Sequence, residues 1–285
     1  MAATAPTNFG RPRGAATAAG TGNHAVERST ALRLTTTIAL LATVASAGGL
    51  FLPHLYRDNT FVVSAWKGTD LVTLFVAVPT LVAAASLAGH GSMRALLIWF
   101  GLLDYMLYNY GFYLFGAAFN AFFLLYAALF TLSIFALMFG LAKADVGDIS
   151  RRFDPDTPVK WISSYMLVVA GGLSAVYLIQ IVTFVVTGRL PAIVVMTGHP
   201  TSVVFALDLS LLVPGLVLGV LAGILNVKGA VYTLALAVAS ASAARKGVPG
   251  AADQIPLWLI LSFGSLTASV FLLVHLMPAS NGAPA

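Results

Sequence analysis

Roughly eight apolar stretches, each about long enough to cross a bilayer, occupy the chain from Leu32 to Pro278. A helix needs about 20 mostly apolar residues to cover some 30 Å of hydrocarbon. Of the 285 residues, 59% are hydrophobic and 9% charged. A soluble domain of this size cannot hide that much apolar side chain, because water must wet its surface. The expected fold is all-α: a polytopic transmembrane helix bundle. Spans are expected at 32–53, 70–89, 94–115, 120–142, 161–187, 202–223, 227–244 and 256–277. The seventh is the weakest, being short, rich in alanine and opened by Lys228. The stretch 202–244 reads alternatively as one span plus a re-entrant piece.

Residues 1–30 repeat no apolar face and are expected to form a disordered cytoplasmic tail. The bundle is expected over 31–278, with a short tail at 279–285. The inner loop 143–160 holds Asp145, Asp148, Asp154 and Asp156 among basic residues and two prolines. It divides the bundle into halves 31–142 and 161–278. With the N-terminus inside, ten Lys and Arg fall on the inner side and five on the outer, which favours two cytoplasmic termini in the cell membrane. Leu34 to Val44, followed by Ala45-Ser46-Ala47, reads alternatively as a cleaved signal core.

The second span of each half starts with Asp-Leu and carries a proline kink. Asp70-Leu71 leads to Val78-Pro79-Thr80-Leu81-Val82, and Asp208-Leu209 leads to Val213-Pro214-Gly215-Leu216-Val217. An Ala-Gly-Gly-Leu string occurs in each half, at 47–50 and 170–173. Four spans per half would make the halves parallel repeats. The Asp-to-Pro spacing is nine residues in one copy and six in the other.

Chemistry is expected where polar residues interrupt the spans. Asp104 falls near the middle of span three, where a lipid-exposed charge costs at least about 2.5–3.5 kcal/mol. On a helix it shares a face with Tyr108, while Tyr105, Asn109 and Phe112 line the adjoining face. Asp208 falls nearly two turns inside span six, because Thr201 and Ser202 already offer caps. Pro79 and Pro214 each leave a backbone carbonyl without its helical partner. Tyr113 completes the aromatic lining. Asp70, just after Thr69, reads as an N-cap, Asn120 as the cap of span four, and Lys228 as a snorkelling lysine, with a salt bridge to Asp104 or Asp208 only if span seven starts deeper than drawn. Gly215, Gly219 and Gly223 form a small-residue ladder suited to helix packing or a homodimer seam. The absence of cysteine removes disulfides and thiol chemistry, and no two histidines are spaced as metal ligands. No metal, no cofactor and no nucleic-acid partner is expected.

The run Asp70-Leu71 to Val78-Pro79, the string Leu107-Tyr108-Asn109-Tyr110-Gly111-Phe112-Tyr113-Leu114-Phe115-Gly116, Asn120, Tyr126, and Asp208-Leu209 to Val227-Lys228-Gly229 carry a resemblance. Over residues 32–277 the chain resembles a family of bacterial multi-pass membrane proteins with no assigned activity. The resemblance implies that the aromatic block and the two Asp-Leu…Val-Pro segments belong together. The functional expectation is small-solute transport or permeation, with proton linkage, through a cavity between spans two, three and six. Asp104 and Asp208 would be its ionisable walls, and Tyr105, Tyr108, Asn109 and Tyr113 its lining. The alternatives are an intramembrane enzyme acting on a lipid or isoprenoid, and a non-catalytic scaffold.

Overall fold

A computed structural model describes residues 14–142, 144–218 and 222–276. Among these, every regular element is helical, and six helices are long and apolar enough to cross a membrane. In chain order the helices are α1 (Gly14–Phe51), α2 (Thr60–Gly89), α3 (Met93–Gly116), α4 (Phe123–Leu141), α5 (Val146–Arg151), α6 (Val159–Thr187), α7 (Ala192–Thr197), α8 (Val203–Val217), α9 (Ala222–Arg245) and α10 (Ala251–Val274).

The six apolar spans lie in α1, α2, α4, α6, α9 and α10. Helix α3 is long enough but carries Asp104, Asn109 and four tyrosines; fifteen of its 24 residues are buried. Enclosure by other helices is what lets so polar a helix exist in an apolar surrounding. Helix α8, at 15 residues, is the short one. The weakest span expected from sequence is instead a full helix, α9, which packs along α2, α3 and α10. Its alanines explain both results. They lower its hydropathy, and they also give the smooth surface that lets three neighbours approach. At Gly68 of α2 a Cβ would lie 2.5 Å from the Ala239 backbone of α9, so those two helices meet main chain to main chain.

Two further boundaries differ from expectation. Helix α1 reaches back to Gly14, through residues expected to be a disordered tail. Extending an existing helix through an alanine-rich segment avoids the nucleation cost. Helix α2 begins at Thr60, ten residues before the expected start, capped by Asn59, whose Oδ1 accepts from the Val62 N–H at 3.0 Å. Asp70 is therefore buried inside α2 and is not its cap. Asn120 accepts from the Phe122 N–H at 2.9 Å and shapes the turn before α4 without capping it. The Gly215, Gly219, Gly223 ladder runs through residue 219, which lies outside the described residues.

Both ends of the bundle are tied. At one end Asp58 accepts from Trp66 Nε1 at 3.0 Å and from the Ala118 N–H at 3.1 Å, with His199 Nε2 at 3.4 Å. There the Asn59 amide also donates to the Met196 and Thr197 carbonyls, joining α7 to the cap of α2. At the other end Arg94 donates to the Leu276 carbonyl at 3.0 Å, and the Asp154 N–H donates to that of His275 at 3.0 Å. The main apolar core is built from α1 to α4. A second, smaller cluster joins Ile162, Met166 and Ala170 of α6 to Leu216, Ala268 and Leu272. Between those two clusters the packing is open. Outside, Leu124, Val168, Val185 and Phe263 are exposed, as expected of a surface solvated by lipid.

Candidate functional site

Each Asp-Leu…Val-Pro segment contains one widened helical turn. In α2, residues Thr73–Ala77 form a π-turn, and the Val78 N–H donates to the Thr73 carbonyl five residues back. In α8, Asp208–Leu212 does the same, with the Val213 N–H on the Asp208 carbonyl. Both turns end two residues before the proline, which has no N–H with which to continue the ladder. Aligned on these turns, Asp208 corresponds to Thr73. Asp70 lies three residues earlier, which accounts for the unequal spacing in the sequence. The Ala-Gly-Gly-Leu strings sit in unlike surroundings. A Cβ on Gly49 would fall 2.0 Å from Asp70 Oδ2, whereas Gly171 and Gly172 have nothing within 4 Å.

The two buried acids are held alike, each by a pair of tyrosines. Tyr56 donates to Asp70 Oδ2 at 2.5 Å, and Tyr113 lies 3.0 Å from both Asp70 Oδ1 and the Trp66 carbonyl. Tyr56 belongs to the loop before α2, and burial, together with the neighbouring Asp70, pushes its phenol well above the usual range. It therefore remains a donor. Trp66, Tyr113 and Tyr126 close around this acid, with ring centres 4.6 Å and 5.0 Å apart along the series. Asp208 accepts from Tyr108 of α3 on one oxygen and from Tyr177 of α6 at 2.5 Å on the other.

Asp104 takes a different partner. Lys228 of α9 lies 3.2 Å from its Oδ2, and the ammonium sits 4.3 Å above the Tyr108 ring. Lys228 is 3% exposed, so snorkelling is ruled out as its role. The reason is register: α9 begins before Lys228 and not at it, so the residue lies inside the bundle.

The described residues line a cavity of about 480 Å³. Its walls come from α2, α3 and α6 to α10, a wider set than spans two, three and six. Asp208, Lys228, Tyr108, Tyr177 and Tyr232 form its polar end. Helix α7 and His199 border it near the Asp58 end of the bundle. Trp66, Phe112, Phe205 and Trp258 contribute apolar wall. Of the six site residues expected from sequence, Asp208 and Tyr108 line this cavity. Asp104 reaches it only through Lys228. Tyr105 bonds Thr73 at 2.7 Å, Tyr113 serves Asp70, and Asn109 is buried with its Oδ1 unpartnered. Pro79 and Pro214 follow the two π-turns. Sequence reasoning missed Tyr177 and Tyr232, set Asp70 aside, and preferred snorkelling to a salt bridge for Lys228. A lone tyrosine in an apolar run carries no periodic signal; only the charge on Lys228 marked it. Among the described residues no group of three His or acidic side chains is placed to hold a metal ion.

Comparison with protein-family models, with curated proteins and with solved structures finds no match.

Proposed function

We propose that the chain moves a small solute across the cell membrane through the cavity at Asp208, with proton linkage. The reading rests on one observation: a cavity of about 480 Å³ inside a lipid-facing helix bundle ends on a buried carboxyl held by two phenols. Cavities of about 300–1,000 Å³ with a few convergent polar groups are the usual form of small-molecule sites. Acids within membrane spans commonly mark solute or proton paths, since lipid penalises them elsewhere. Interrupted helices at such sites recur in transporters, and α8 is interrupted at Asp208 itself.

Two finer features belong to this reading. Besides the six apolar helices, α3 and α8 also cross, making eight spans in two sets of four with both termini cytoplasmic. The sets are α1 to α4 and α6 with α8 to α10, and the shared π-turn before Val-Pro supports a common origin. The experiment is flux into reconstituted vesicles loaded with a pH-sensitive dye. Asp208→Asn is expected to remove solute-driven proton movement, whereas Asp70→Asn, outside the cavity, leaves most of it. Unchanged flux in Asp208→Asn refutes the proposal.

A further inference from the structure

We infer that the cavity takes a lipophilic organic monocation, a molecule with an ammonium-like centre and apolar bulk, and that Asp208 is its counter-charge. The inference rests on the transport reading for its setting and names the solute class.

The charge balance of the cavity carries the argument. The charged groups lining it among the described residues are Asp208 and Lys228, with His199 at the border. Lys228 is already matched by Asp104 at 3.2 Å, and His199 faces Asp58 at 3.4 Å. Asp208 is held by two phenols and feels Lys228 only through space, a cation it shares with Asp104. Each of its oxygens lies within hydrogen-bond distance of a phenol, a setting in which an ionised carboxylate can accept from both. Two acids against one lysine leave a net negative charge when both are ionised; burying it is costly, and a ligand of opposite sign relieves that cost.

The walls favour the same class. Aromatic faces attract cations, most strongly where water is excluded. Tyr177 lies against Phe205 with ring centres 4.3 Å apart beside Asp208, and Tyr232 meets Tyr108 edge-on at 4.8 Å. The Lys228 ammonium over the Tyr108 ring shows that this corner already seats one cation on a phenol face. Trp66, Phe112 and Trp258 supply the apolar surface for the bulk of the solute. An anionic amphiphile would meet Asp208 with like charge, and Lys228, the lysine lining the cavity among the described residues, already faces Asp104.

The test uses the purified full chain in nanodiscs with tetraphenylphosphonium and tetraphenylborate, two probes of nearly equal shape and opposite charge. Tetraphenylphosphonium is expected to bind saturably at one site per chain and at least tenfold more tightly than tetraphenylborate. Asp208→Asn should weaken it at least tenfold, and Asp70→Asn should leave it unchanged. Equal binding of the two probes to the native chain overturns the inference without any variant, which covers the case of Asp208→Asn failing to fold. Absence of tetraphenylphosphonium binding in a protein that still shows Asp208-dependent flux overturns the cation class and leaves transport standing. Charge-selective, Asp208-dependent binding without flux upholds the inference and removes transport.

Discussion

Lys228 and Asp104 hold each other at 3.2 Å within the bundle, and each depends on the other. Forming a buried ion pair contributes little, because two charges lose their hydration; breaking one leaves a lone charge and costs about 3–5 kcal/mol. Asp104→Asn and Lys228→Met are therefore each expected to lower stability by about that amount. The double change should recover most of the loss, as read by thermal unfolding in detergent with a double-mutant cycle. Additive losses would mean that the two residues do not interact. This pair also shows what one sequence reveals at the scale of a residue. Charges within apolar runs are conspicuous, so Asp104, Asp208 and Lys228 all stood out. Which charge meets which depends on helix register and on packing between distant segments, and neither has a local signature. Asp70 was misread for a related reason. Trp66, Lys67 and Thr69 make the stretch before it resemble a loop, and Asn59, the true cap, lies eleven residues upstream.

At the scale of elements, contact between α2 and α9 turns on one missing side chain. A Cβ at Gly68 would lie 2.5 Å from both the Cα and the N of Ala239, atoms that cannot turn aside. Gly68→Ala should therefore force the helices apart. It is expected to destabilise by about 1–3 kcal/mol, the usual range for overpacking. Gly172→Ala in α6 is the matched control, because nothing lies within 4 Å of it. There the better helix former should be neutral or stabilise by up to about 1 kcal/mol. Equal melting temperatures for the two variants would refute the close approach. Helix positions were mostly legible, because apolar length is a strong signal in membrane proteins. Helix rank was not. The composition that marked 227–244 as a poor span is that of a helix packed among three others, where small residues serve better than large ones. The Val-Pro kinks were visible in the sequence, but the π-turns before them were not, since a turn of five residues leaves no change in the pattern of residue types.

For the molecule as a whole, the ties at its ends determine which loops share a side of the membrane. Asn59 reaches the end of α7, and Lys246 donates to Ser64 Oγ at 3.2 Å, so loops 52–59, 188–202 and 246–250 gather at one end. Loop 144–158 lies at the other, tied to the end of α10 through Asp154 and His275. Moving Lys228 into the interior reduces the inner Lys and Arg from ten to nine, against five outside, so the charge bias still favours the proposed topology, with loop 144–158 on the cytoplasmic side. The chain has no cysteine, so single introduced thiols report without background. In intact cells Arg57→Cys, Arg189→Cys and Arg245→Cys should all react with a membrane-impermeant maleimide. Arg151→Cys and Asp156→Cys should react only after permeabilisation. All five positions, Arg57, Arg151, Asp156, Arg189 and Arg245, are exposed, so failure to label would reflect sidedness and not burial. Arg189 and Arg245 flank the pair α8 and α9. Should they label from opposite sides, one of that pair does not cross, and the count of eight falls. Should every site label with its side reversed, the eight crossings remain, and it is the charge rule that this chain breaks.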